Sequence, residues 1–432
     1  MLKENGNKLK NRKILWVGIF SLALVAVLGT LYYAHIEYQA EEDKKAQQAF
    51  EEQTKESILN DRRDALLKEA ENLVKGYFVD EAIELLNKDE SLVNDEIQEK
   101  IDEYTEYKNS YVLYEEPVQH IFFHSLILYP EYLFKNITVP SGGLNEGFSY
   151  KRELERMLPL LLERGYVLYN INDVFVKDEN GIMKQKDIYL PAGKKPLILS
   201  VDDPAYANAG TDNIGLAHRM ILDENGKLAT EVVTPAKETI ITFDGDVELV
   251  VMNFIEEHPE FSYRGARGII ASTGYLGFMG YTYEEILTDE GRSKAKSIAD
   301  KLKEEGWLFA SHSYTHNRLN FFGAGSNASN IAWDTKKWME IIEPIVGSTN
   351  IFIAPFGYKL GGAALDVIIN NGFDIYCNVV SQQKIVVYEK YALMGRIEMS
   401  GYSYTYYKNY LNKYLFDVDK VMDSYRPPML SS

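Results

Sequence analysis

Residues 14–34, ILWVGIFSLALVAVLGTLYYA, run for 21 positions without a charge. As a helix rising 1.5 Å per residue, such a run matches the roughly 30 Å hydrocarbon core of a bilayer. It constrains the chain more than any other feature, because everything else must fold on one side of it or the other. Lys3, Lys8, Lys10, Arg12 and Lys13 precede it against Glu4 alone, while Glu37, Glu41, Glu42 and Asp43 follow closely. The positive-inside rule puts 1–13, a basic tail, in the cytoplasm and the remaining chain outside the cell. A cleaved signal peptide is the rival. The run is longer than a hydrophobic signal core of roughly 7–15 residues and no A-x-A-like site follows, so a single-pass signal anchor in the cell membrane is expected.

From 35 to 110 the chain is charged, lacks proline and spaces apolar residues helically, as at Ile97, Ile101 and Tyr104. An α-helical stalk is expected there. Within it, 70–86 (AENLVKGYFVDEAIELL) reads as helix, glycine-centred turn, helix, and resembles half of a tetratricopeptide-type hairpin. One hairpin cannot stack into a solenoid. It serves either as a spacer or as a module for a protein partner.

Over its full length the chain has the composition of a globular protein, 46% hydrophobic and 25% charged. The net charge of -18 opposes nucleic acid phosphates and anionic lipid as main partners. The 31 tyrosines suit either stacking on sugar rings or filling a β-rich core. With Cys377 as its lone cysteine the chain forms no internal disulfide, and any metal must be held by His and carboxylates.

Over 115–415 short apolar strands alternate with amphipathic helices, the pattern of an α/β domain with a mainly parallel sheet. The expected strands are 118–124, 197–201, 268–273, 308–311, 351–354 and 373–379, with a late strand reaching Arg396. Helices are expected at 150–164, 247–258, 291–305, 333–346 and 364–371, and a tail from 416 to 432. In such folds chemistry gathers where strands end. One strand ends in Asp202-Asp203 and another in His312-Ser313-Tyr314-Thr315-His316. Two histidines at i and i+4 share one face of a helical turn and can meet a single ion, and a carboxylate from another strand would complete a two-His, one-carboxylate set.

These motifs resemble the polysaccharide deacetylases with the NodB-homology domain, carbohydrate esterase family 4. Ser200-Val201-Asp202-Asp203 is similar to the family's T-F-D-D-G, His312-Ser313-Tyr314-Thr315-His316 to its H-[ST]-x-x-H, and Phe352-Ile353-Ala354-Pro355-Phe356-Gly357 to its R-x-P-Y-G, over about 118–396. The resemblance implies a distorted (β/α) barrel and a metal-dependent deacetylase that removes N-acetyl or O-acetyl groups from cell-wall or extracellular polysaccharide, such as an N-acetylglucosamine-containing glycan, by metal-activated water. It implies Asp202 as general base, Asp203, His312 and His316 as ligands of a divalent metal, with zinc first and cobalt or manganese also accepted, and the Phe356-Gly357 loop as oxyanion donor.

The chain departs from the family at two points. Ile353 stands where the third motif carries Arg, and Arg396 is either the substitute or half of a surface salt bridge. No late L-x-H histidine follows His316, so His124, ending the first strand of the domain, is either a replacement acid or substrate ligand, or a structural hydrogen-bonded histidine. The departures keep open an alternative: an extracytoplasmic glycan-binding or sensor protein that retains fold and metal but has lost turnover. A second Asp signal, Thr242-Phe243-Asp244-Gly245-Asp246, resembles T-F-D-D-G superficially. Because 210–246 reads as an inserted hairpin turning at Asp223-Glu224-Asn225-Gly226, Asp202-Asp203 is preferred. His35, His120, His218 and His258 show no partner pattern, and Asn136-Ile137-Thr138 and Asn327-Ala328-Ser329 match a glycosylation pattern common by chance.

Overall fold

A computed structural model describes residues 2–134, 143–204, 206 and 214–429. The chain divides into two compact units, Met1–Glu71 with Ala82–Ile101, and Asn72–Glu81 with Asp102–Ser432. The 35–110 segment expected as one stalk is thus shared between them, and the site Asn136-Ile137-Thr138 lies outside the described residues.

Helix α1 (Leu2–Lys75), which lies in the first unit up to Glu71, runs for 74 residues without a break, so the apolar run and the charged segment after it are one helix. It is long and apolar enough to cross a membrane. Helices α2 (Val79–Asn87) and α3 (Asp95–Asn109) follow. Arg62 pairs with Asp89 at 3.0 Å and Arg63 donates to the Leu92 carbonyl. The expected turn is present at Gly76, within the stretch that belongs to the larger unit, with Tyr77 beside it in the left-handed region at φ 66°.

The larger unit is a distorted α/β barrel. Its seven parallel strands are β1 (Gln119–Phe123), β2 (Lys195–Asp202), β3 (Ile269–Ser272), β4 (Leu308–Ser311), β5 (Ile351–Ile353), β6 (Ile375–Val379) and β7 (Ala392–Glu398). Each pairs with the next in sequence, and Ile397 of β7 registers against Ile121 of β1 to close the ring. Two strands divide an edge between partners, which makes the barrel irregular. β2 gives its first half to Tyr166–Leu168 and its end to β3, and β7 gives its first half to Ile385–Val387 and its end to β1.

Alternation along the strands sorts side chains by face. Ile198, Ala271, Ala310, Ile353, Cys377, Ala392 and Met394 form one buried cluster, whose small members suit a narrow interior. Leu199, Val201, Ile270, Phe309, Phe352, Tyr376 and Leu393 face the helical layer. That layer comprises α4 (Lys151–Glu163), α5 (Val247–Glu257), α6 (Asp289–Glu304), α7 (Ala328–Ile341) and α8 (Gly362–Asn370). Where one helix was expected at 333–346, α7 begins earlier, capped by the Asn327 side chain, and stops before a separate turn, Glu343–Val346, opened by Pro344. Proline has no N–H for the helical ladder and tolerates only a first turn.

The insertion turns at Asp223–Gly226 as expected but gains a third strand, giving an antiparallel sheet of Ala217–Leu222, Leu228–Val233 and Thr239–Thr242. The segment from 416 does not behave as a tail. Phe416, Val418 and Val421 are wholly buried in the same core as the barrel helices.

Candidate metal centre and active site

The expected ligands meet at the C-terminal end of the barrel. One ligand atom each from Asp203, His312 and His316 lies within 4.8 Å of the others. His316 Nε2 is 3.4 Å from Asp203 Oδ2, and His312 Nε2 is 3.9 Å from the same oxygen. His312 Nδ1–H donates to the Ile353 carbonyl at 2.7 Å, which fixes the tautomer and leaves Nε2 free to coordinate. Thr273 donates to the other oxygen of Asp203. Three convergent donors with a fixed imidazole and a supported carboxylate fit a small divalent ion with open positions.

The two histidines do not share a helical face. They lie on a loop in which Ser313 and His316 adopt φ of 67° and 43°, and this bend brings their rings to 5.0 Å between centroids. Asp334 of α7, wholly buried, staples the loop: its carboxylate accepts from the Tyr314 and Thr315 backbones at 2.9 and 2.8 Å and from the Thr315 hydroxyl at 2.6 Å. Ser313 Oγ accepts from His316 N at 2.9 Å.

Asp202 sits beside this centre. Arg396 is its partner and not half of a surface pair: its wholly buried guanidinium donates to both carboxylate oxygens at 2.7 and 2.9 Å and to Ser200 Oγ at 3.0 Å. Phe122 stacks 4.1 Å from the guanidinium centre. Beneath lies His120, fully buried and bonded to Ser200 Oγ at 3.0 Å. Burial is the largest single influence on Asp202 and opposes its ionisation, but the charge and hydrogen bonds of Arg396, together with the fields of His312 and His124, outweigh it and hold the carboxyl well below the usual range. Asp203 is likewise depressed, burial again opposing and the fields of His312 and His316 prevailing. Burial keeps the His120 imidazole neutral.

His124 ends β1 at the same mouth. Its Nδ1–H donates to the Gly147 carbonyl at 2.9 Å, its ring lies 5.4 Å from that of Phe148, and Glu398 at the end of β7 approaches to 3.7 Å. Burial raises the Glu398 carboxyl above its usual range.

At the third motif, the Gly357 N–H is already bonded to the Ala354 carbonyl at 3.1 Å. Of the two residues expected to line the oxyanion, Gly357 thus has its N–H engaged, while Phe356 adopts φ 56° and its half-exposed ring stands 4.4 Å from that of His316. Gly357 serves by its size, since a Cβ there would meet Val379 Cβ at 2.5 Å. The rival Asp244 lies elsewhere, paired with Lys151 Nζ at 2.6 Å. Asp246 caps α5 and accepts from the Leu126 N–H at 2.9 Å. His258 caps the other end of α5, as its sequence position suggested.

Sequence reasoning missed Ser200, His120, Thr273, Asp334 and Glu398. Ser200 and Glu398 had a signal, as residues at or near barrel strand ends. Asp334 lies 20 residues from its partner and carried none.

No family model matches the chain, and no curated protein matches it. Solved structures similar to it include the deacetylase PplD of Streptococcus pyogenes in complex with acetate, at 11% identity and a TM-score of 0.39, covering 67% of this chain and 94% of that one. A de-N-acetylase from Aggregatibacter actinomycetemcomitans is similar at 14% identity and a TM-score of 0.39, covering 66% and 96%. IcaB from Ammonifex degensii is similar at 12% identity and a TM-score of 0.37, covering 67% and 94%.

Proposed function

We propose that the chain is a membrane-anchored deacetylase that hydrolyses acetyl groups from an extracellular polysaccharide, with an N-acetylglucosamine-type glycan first among substrates. The observation that carries this is the pairing, at one barrel mouth, of a three-donor metal site with an adjacent carboxylate that is not a ligand and is held ionised by a buried arginine. Asp203, His312 and His316 would hold the ion, zinc by donor chemistry, with cobalt or manganese accepted. When bound, such an ion polarises the acetyl carbonyl and lowers the pKa of water in its shell.

The chain's residues divide the remaining work. Asp202, whose carboxyl is held below its usual range, accepts the proton of the attacking water. We assign the developing oxyanion to the Phe356 N–H, in the loop beside His316. His124, with Nδ1 committed to Gly147, keeps Nε2 available to return a proton to the leaving nitrogen or oxygen, and Glu398 beside it supports the imidazolium. The basic tail at 1–13 supports an orientation with the barrel outside the cell.

The test is metal content of the detergent-solubilised full chain, with acetate release from chitooligosaccharides, peptidoglycan and acetylxylan. His316→Ala is expected to lose both metal and acetate release, and Asp202→Asn to keep metal while kcat falls by about 10³-fold or more, the order seen when a base is removed. Metal without acetate on any of these glycans would favour the glycan-binding reading.

A further inference from the structure

We infer that Arg426, in the segment after the last helix of the barrel unit, is a positioning residue for His124, so that the C-terminal residues form part of the catalytic assembly. The inference rests on the role proposed above for His124. The link is a short chain of hydrogen bonds. The carbonyl that holds His124 Nδ1 belongs to Gly147, within the stretch Leu144–Tyr150. That stretch has little regular structure of its own: one four-residue turn, Leu144–Gly147, followed by extended residues leading into α4.

Arg426 fastens it at both ends. Its Nη1 donates to the Asn145 backbone carbonyl at 2.6 Å and to the Asn145 side-chain oxygen at 3.2 Å, while Nη2 donates to the Phe148 carbonyl at 3.0 Å. The two carbonyls flank Gly147, so the guanidinium fixes the direction in which the Gly147 carbonyl points. The remaining donors, on Nε and Nη2, engage the Glu153 carboxylate, and the pair is almost completely buried, at 3% and 0% side-chain exposure. Such a fork places two bonds at a defined angle, which a lysine ammonium cannot reproduce. The Asn145 amide in turn donates to the Pro427 carbonyl at 3.0 Å, so loop and C-terminal segment bind each other reciprocally.

A purely stabilising ion pair would need only Glu153. The three bonds that Arg426 makes to Asn145 and Phe148 are the ones that reach towards the site, and they end one and two residues away from the Gly147 carbonyl that orients His124.

The test compares Arg426→Lys with the wild type in the full chain, in a His124→Gln background as well, and by ¹⁵N resonances of the His124 ring. The variant is expected to fold, to bind the same metal and to leave KM within about twofold, while kcat falls at least tenfold. Added guanidinium is expected to restore part of the kcat of Arg426→Ala. In the His124→Gln background the same change should cost nothing further. The His124 Nδ1 and Nε2 resonances should move towards each other as the bond to Gly147 loosens and the tautomers mix. An equal loss of kcat in both backgrounds, or unchanged ring resonances, would overturn the proposal. A wild-type chain that releases no acetate, together with shifted resonances, would sink the hydrolase reading while leaving Arg426 in its positioning role.

Discussion

At the residue scale, Arg396 governs the chemistry of Asp202. Burial alone would push this carboxyl towards its neutral form, and the guanidinium, by charge and hydrogen bonds, is the main contributor to reversing the sign, with His312 and His124 adding to it. Replacing Arg396 with Met leaves the burial and removes the opposing charge, so the Asp202 pKa must rise. The acid limb of kcat/KM is then expected to move to higher pH, with kcat at neutral pH reduced by about 10²-fold, the scale of losing a charged, hydrogen-bonded partner. A limb that stays in place would show that Asp202 is not the titrating base. Glu248 offers a stability test away from the site. Among the described residues both its oxygens are buried without a hydrogen-bond partner, and burial, reinforced by Asp246, raises its carboxyl well above the usual range. A folded pKa raised above the unfolded one means that stability is full below the unfolded value and is lost as pH rises through the folded one. Glu248→Met should therefore raise Tm at pH 8 more than at pH 5. The residues that sequence alone singled out, His312, His316 and Asp202-Asp203, share one property: their spacing along the chain and their place at strand ends are local. Arg396 was readable only as one of two alternatives, because its distance from Asp202 is set by barrel closure. Ile353 was readable only as a loss, although its carbonyl orients His312.

At the scale of elements, the loop after β4 depends on α7. The backbone of Tyr314 and Thr315 is tied to Asp334, and no side chain on the loop itself replaces those bonds. Asp334→Ala should leave the barrel folded but weaken metal affinity by about 10- to 100-fold, the usual cost of losing an outer support of a metal ligand. Calorimetric titration with zinc checks this, and unchanged affinity would remove Asp334 from the site. The parallel strands and helices were legible because buried strands are continuous apolar runs and their helices carry amphipathic periodicity. The third strand of the insertion was not: Thr239–Thr242 is exposed over most of its length and shows no alternation. The non-helical path of 312–316 was equally hidden, since a left-handed φ at Ser313 or His316 has no glycine to announce it.

At the scale of the whole molecule, the larger unit begins at Asn72 and not at the end of the stalk. Tyr77 is buried, its hydroxyl donates to the Glu260 carbonyl at 2.9 Å, and Arg264 N donates to the Gly76 carbonyl at 2.9 Å. A soluble fragment starting at 110 should therefore melt several degrees below one that keeps 60–109, by differential scanning calorimetry, because it loses a buried aromatic and its hydrogen bonds, worth about 3–5 kcal/mol. Equal melting points would place those residues outside the cooperative unit. The site concentrates backbone geometry that ordinary residues avoid: Asp203, Ser313, His316 and Phe356 all carry positive φ, at a cost on the order of 1–3 kcal/mol each. Breeding the chain for heat tolerance alone would therefore reward glycine at these four places first. Each such gain would trade the carboxylate of Asp203, the imidazole of His316, the hydroxyl that Ser313 offers to the His316 N–H or the Phe356 ring beside His316 for a more comfortable main chain, so the most robust descendants would be those that had dismantled the cluster.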